Sequence, residues 1–176
     1  MRAAAALAVL LMAGCSTIGS SPGPATTTVR TSTPIAINAP PPGSELVDRG
    51  CGTTPIYKGG SLPEWATINA PSFLPYVIAT PGIAMGYLFT YPLAAGLNSN
   101  TKILWYVATP RRGYPLVAKG HPLGATSPQA TFYKTDDSGP GEIYPTGPTV
   151  PSAGCWHFTL KWQNGDRSAE VDLNFS

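Results

Sequence analysis

The strongest pattern in the chain lies at its C-terminal end. Trp156, Phe158, Leu160 and Trp162 alternate with His157, Thr159 and Lys161, and Ala169, Val171, Leu173 and Phe175 alternate with Ser168, Glu170, Asp172 and Asn174. A period of two places each set on one face of an extended strand. Between the runs stands Asn164-Gly165, two residues that tolerate positive φ and close tight hairpins. A two-residue turn there pairs Leu160 with Ala169, Phe158 with Val171 and Trp156 with Leu173 on one face. Lys161–Ser168, Thr159–Glu170 and His157–Asp172 then share the other. A slip of one residue would set apolar against polar positions along the whole ladder, so only this register is predicted.

Weaker β-like runs precede the hairpin at 83–91, 102–109, 115–119 and 130–134. The run Lys102-Ile-Leu-Trp-Tyr-Val-Ala-Thr109 is apolar on both faces and is expected to be central. Turn-forming stretches separate these runs: Gly96-Leu-Asn-Ser-Asn, Pro110-Arg-Arg-Gly and Asp136-Asp-Ser-Gly-Pro-Gly. No stretch shows an apolar stripe of helical period with caps. Twenty prolines and nineteen glycines point the same way. The expected fold is all-β: one two-sheet β-sandwich over residues 45–176, immunoglobulin-like in architecture.

Upstream the pattern disappears. Residues 15–44 are rich in Thr, Ser and Pro and lack aromatic side chains, a composition that cannot bury enough surface to order itself. As an extended tether this stretch would reach on the order of 90 Å at about 3.1 Å per residue; its Thr clusters are also possible sites for O-linked sugars. Before it, Arg2 precedes an uncharged apolar run from Ala3 to Met12. That run is too short to cross a hydrocarbon core of about 30 Å, which marks residues 1–14 as an export signal. The ending Leu11-Met12-Ala13-Gly14-Cys15 resembles the bacterial lipobox, with Met12 where leucine is commonest. The resemblance implies a diacylglyceryl group on Cys15 and, after cleavage, a mature chain starting there. The alternative is an ordinary secretory signal with a chance cysteine at its end.

Charge narrows the partners. Without Arg2, ten of the eleven Lys and Arg remain against nine Asp and Glu, a net of about +1, with no basic cluster to favour nucleic acid. Charged residues make up only 11% of the chain, so much of the polar cover must be uncharged. With Cys15 assigned to lipid, Cys51 and Cys155 remain, and in an oxidising compartment a disulfide is the default. Its ring of about 100 residues is worth about 4–5 kcal/mol in the chain-entropy model. Two free thiols or a metal site are the alternatives, though the spacing lacks a CxxC unit. Cys155 has the parity of His157, away from Trp156 and Phe158. A bridge there would pin the segment around Cys51 to the outer side or rim of a sheet, unlike the internal bridge of a true immunoglobulin domain.

Pro151-Ser-Ala-Gly-Cys155-Trp156, followed by the terminal hairpin, resembles a group of small exported bacterial β-domain proteins with a Pro-x-x-Gly-Cys-Trp signature. Cys51 with Pro55, Lys102-Ile-Leu-Trp105 and Gly120-His121-Pro122-Leu123 extend the likeness upstream, over about 120 residues. Lipobox, Thr/Pro tether and Lys-Ile-Leu-Trp together look like an actinobacterial lipoprotein. The resemblance implies an exported β-domain and carries no activity.

Catalytic motifs are scarce. Gly-x-Ser-x-Gly, His-Glu-x-x-His, a phosphate-cradling glycine loop and a dinucleotide fingerprint are all missing from the sequence. The predicted His157–Asp172 pair could orient an imidazole as a base, with Ser138 or Ser152 as nucleophile; its commoner meaning is an exposed cross-strand contact. His121 falls in a Gly-His-Pro-Leu turn, and two unlinked histidines make a poor metal site. Asp136 to Glu142 offers oxygen ligands for calcium without EF-hand spacing, as an acidic surface turn would. No metal or cofactor is therefore expected. Tyr57, Trp65, Tyr76, Tyr114, Tyr133 and Tyr144 fall beside Pro/Gly loops, and Trp65, Tyr114 and Tyr144 are the candidates for stacking on a sugar or anchoring a protein; the alternative is that they pack over the sheet rims. The expectation is a non-enzymatic, lipid-anchored protein on the extracytoplasmic face of the cell membrane, binding an envelope glycan, a glycolipid or a partner protein. A hydrolase built on His157–Asp172 and a purely structural surface protein are the alternatives.

Overall fold

The terminal hairpin forms in the predicted register: Leu160 faces Ala169, Phe158 faces Val171 and His157 faces Asp172. Its turn differs in one respect. The Asp166 N–H closes on the Gln163 carbonyl at 3.0 Å, with Asn164 and Gly165 both at positive φ. Gln163 is itself left-handed, at φ 50°. The ladder therefore stops at Trp162–Arg167, one pair short of a two-residue loop.

The structure, a computed structural model, describes residues 39–66, 73–97, 99–108, 113–136 and 143–176. The predicted signal, Cys15, most of the linker, Ser138 and the acidic turn beyond Asp136 lie outside these residues. Ten strands follow one another: β1 (Ser44–Cys51), β2 (Thr54–Gly59), β3 (Tyr76–Ala79), β4 (Ala84–Leu88), β5 (Ile103–Val107), β6 (Leu116–Pro122), β7 (Ala130–Lys134), β8 (Tyr144–Thr146), β9 (Gly154–Trp162) and β10 (Arg167–Phe175). They make a six-stranded sheet, β1-β2-β3-β4-β5-β8, and a four-stranded sheet, β10-β9-β6-β7, with every ladder antiparallel. Two such sheets, packed face to face, are a β-sandwich.

Alternation decides what lies between them. Ile56, Val77, Leu88, Ile103, Trp105 and Val107 of the large sheet share one core with Leu116, Phe132, Trp156, Phe158, Leu160, Val171 and Phe175 of the small one. The opposite face of the large sheet is also buried. There Tyr57, Tyr76, Tyr87 and Tyr106 follow one another across β2 to β5, with ring centroids 6.0–6.1 Å apart. Leu62, Trp65, Ala66 and Leu74, from the connection between β2 and β3, pack over them. The Tyr87 hydroxyl, pushed up to about 12 by burial and by Tyr106 and Tyr76 beside it, belongs to this layer. As expected, β5 is therefore covered on both faces.

The small sheet differs. Its inner positions are buried, while its outer ones, including Lys119, Thr131, Tyr133, Lys161, Ser168 and Glu170, are exposed. One segment folds over this outer face at its β10 edge. Cys51 at the end of β1 is bonded to Cys155 on β9, with a Cα–Cα distance of 5.8 Å. The disulfide thus lies at the outer rim of the small sheet, where the parity of Cys155 predicts it. β1 itself is an edge strand of the large sheet and carries exposed Leu46 and Val47. Two register shifts and the charges of Glu45, Asp48 and Arg49 make it a poor template for edge-to-edge pairing.

Candidate functional site

The outer face of the small sheet brings together most of the chemistry that the sequence offers. Cross-strand register sets the arrangement. Tyr133 (β7), Val117 (β6) and Lys161 (β9) stand in one row, and Thr131, Lys119, Thr159 and Glu170 in the next. His121, His157 and Asp172 form the third row, across β6, β9 and β10.

In the third row, His157 Nδ1 donates to Asp172 Oδ1 at 2.8 Å. Asp172 is not the exposed partner that the alternation suggests; it is buried, at 5% exposure. The turn after Cys51 covers it. The Thr53 N–H donates to Asp172 Oδ2 at 2.7 Å, the Thr53 hydroxyl donates to the same oxygen at 3.1 Å, and the Asp172 N–H donates to Thr54 Oγ1 at 2.9 Å. Gly52 makes this approach possible: its φ is +57°, and a Cβ there would stand 2.8 Å from Asp172 Cβ and overlap Oδ2 outright. Burial raises the Asp172 pKa, but the Thr53 N–H, the His157 ring and the Thr53 hydroxyl outweigh it, so the carboxyl is held below its usual range.

This arrangement latches the turn after Cys51 onto Asp172. A nucleophile must be hydrogen-bonded to the imidazole that deprotonates it. The hydroxyl delivered here, that of Thr53, binds the acid instead. Ser152 lies exposed in the loop before β9, where its carbonyl accepts the Trp156 indole N–H at 3.0 Å.

His121 is not in a turn. It belongs to β6, directly opposite His157, with ring centroids 5.4 Å apart. Among the described residues, no group of three or more His, Cys, Asp and Glu could hold a metal ion. Asp136, the described part of the acidic turn, accepts the Gly113 N–H, a contact that ties two loops together.

The first two rows form a shallow groove of about 220 Å³ lined by Val117, Lys119, Thr159 and Lys161. Tyr133 stands beside it, 59% exposed. Two ammonium groups, a hydroxyl, a branched apolar patch and an adjacent aromatic ring are what a negatively charged saccharide or headgroup requires. A wider cleft of about 630 Å³ lies beside the tyrosine layer, lined by Pro40, Pro41, Pro42, Pro63, Pro81 and Ile78 among others. Among the described residues that line it, Ser61 supplies the one side-chain polar group.

The aromatic candidates are redistributed. Tyr144 is a correction: it is fully buried in the core, with its hydroxyl donating to the Tyr114 carbonyl at 2.8 Å, and cannot stack on a sugar. Tyr57 and Tyr76 lie in strands and are buried. Trp65 is half-buried over the tyrosine layer and Tyr114 is half-buried before β6, so neither joins the groove. Tyr133 is the aromatic that stands next to it, opposite Val117 in the β6–β7 ladder. Its parity opposite Phe132 in Ala130–Lys134 is the sequence signal that could have singled it out.

No protein-family model matches the chain, and neither a curated protein nor a solved structure matches it.

Proposed function

We propose that the protein is an exported lipoprotein, anchored at the extracytoplasmic face of the membrane through Cys15, whose sandwich binds an anionic envelope glycan or glycolipid without catalysis. The lipobox-like Leu11–Cys15 and the Thr/Pro tether support the anchor; two or three acyl chains make such attachment stable, where one is marginal. The groove flanked by Lys119, Lys161 and Tyr133 carries the binding reading. Its size suits one or two sugar units or a phosphate-bearing headgroup. The engagement of Asp172 with Thr53 and Thr54 favours a structural role for His157–Asp172 over a hydrolytic one.

Intact mass of the protein from its native membrane tests the anchor: an acylated Cys15 at the N-terminus supports it, and an unacylated downstream start overturns it. Binding of the full chain to vesicles carrying anionic or neutral glycolipids tests the groove. Selective binding to the anionic vesicles, lost in Lys119→Gln/Lys161→Gln and reduced by Tyr133→Ala, is the expected result. Equal binding by that double variant, or no binding by the parent protein, overturns the reading.

A further inference from the structure

The two histidines are the only ones in the chain, and the fold sets them opposite each other on neighbouring strands. Their hydrogen bonds define their chemistry. His157 Nδ1 faces the Asp172 carboxylate at 2.8 Å, and His121 Nδ1 faces the Pro122 carbonyl at 3.1 Å. Both partners accept only, so both Nδ1 atoms carry the proton. In the neutral rings, each Nε2 then keeps its lone pair. Metal-ligating histidines are held in this way, with the second ring nitrogen donating to a carboxylate or a backbone carbonyl.

The separation also fits. With metal–nitrogen bonds of about 2.1 Å and ligand–metal–ligand angles of about 90–110°, spanning tetragonal and tetrahedral ions, two imidazoles on one ion have ring centroids roughly 4.5–5.3 Å apart. The observed separation is 5.4 Å, with the ring planes inclined by 40°.

We propose that His121 and His157 form a two-imidazole site for a borderline divalent transition-metal ion, Cu²⁺ ahead of Zn²⁺ by the Irving–Williams order. Asp172, locked by Thr53, is the outer partner that orients His157 and supplies a compensating negative charge. Two protein ligands leave the remaining coordination positions to water or to an oxygen of a bound molecule, the open form of metal site. The site lies on the same outer face as the Lys119–Lys161 groove, in the next outward-facing row along β6 and β9, and stands independently of the reading of that groove.

The test is titration of the full, oxidised chain with Cu²⁺ alone, followed by calorimetry and electron paramagnetic resonance. One ion is expected to bind with hyperfine coupling to two imidazole nitrogens. His121→Ala and His157→Ala should each lose one nitrogen coupling and at least tenfold in affinity, with the disulfide and the near-ultraviolet circular dichroism unchanged. The double variant measures every other copper-binding group in the chain. Equal affinity and identical coupling in the parent and the double variant would overturn the proposal, as would failure of the parent protein to bind copper.

Discussion

Gly52→Ala isolates the latch over Asp172. Two separate costs follow from the structure. A non-glycine residue at φ +57° pays for the left-handed conformation, about 1–2 kcal/mol. The new methyl would also occupy the place of Asp172 Oδ2, so the carboxylate must swing away from the Thr53 N–H and hydroxyl. Loss of hydrogen bonds to a charged group adds about 1.5–3 kcal/mol, for a total of about 2.5–5 kcal/mol. Gly124→Ala is the control: its φ is +83°, but nothing lies within 4 Å of an added Cβ, so only the backbone cost of about 1–2 kcal/mol applies. Unfolding of the oxidised protein in urea, followed by tryptophan fluorescence, measures both variants. In an Asp172→Ala background Gly52→Ala should cost no more than the backbone part, a coupling of about 2 kcal/mol. Equal losses for Gly52→Ala and Gly124→Ala, or an undiminished Gly52→Ala cost without Asp172, would refute the reasoning.

Removing the disulfide with Cys51→Ala/Cys155→Ala should cost about 3–5 kcal/mol, read as a lower urea midpoint that reductant shifts no further. Because the folded pKa of Asp172 lies below its ordinary value of 3.8, its contribution is fully present above that pH and is lost as the pH falls through the folded value. The stability of the parent protein should therefore decline below about pH 4, and that of Asp172→Asn should decline less steeply; acid titration of the urea midpoint checks this. At Gly120, an added Cβ would run into the Phe158 ring, 2.9 Å from its Cγ. Gly120→Ala should cost about 1–3 kcal/mol by overpacking, and Phe158→Leu should recover part of that loss in a thermal-melt series of the two single variants and the double variant.

Legibility in the sequence followed the strictness of the alternation. The register of the β9–β10 pair was readable because one side of each strand is apolar and buried while the other is polar. β1 was not, since Ser44–Cys51 is an edge strand, mostly exposed on both sides, with no alternation to read. β2 and β8 each contain a proline, which reads as a break. Pro145 is tolerated because β8 is an edge strand, and Pro55 because it lies where the β1–β2 register shifts. These hidden strands put Tyr57 and Tyr144 on the page as loop residues. Parity placed His157 and Asp172 on the outer face correctly, but the burial of Asp172 depends on Thr53, which lies 119 positions earlier. The His121–His157 contact was hidden because Gly-His-Pro reads as a turn although β6 continues through it to Pro122.

The sulfur bridge also decides how the domain carries load. Tension applied between the two ends of the described chain travels along β1, crosses from Cys51 to Cys155, and leaves through β9 and β10. The residues between the two cysteines, which stand 104 positions apart, hang in a covalent loop off that path. At about 3.3–3.6 Å per residue they represent roughly 340–370 Å of extension that no pull can release while the bridge is oxidised. Shear in the medium can peel β1 or part the final hairpin, but it cannot draw the chain between them out into a thread.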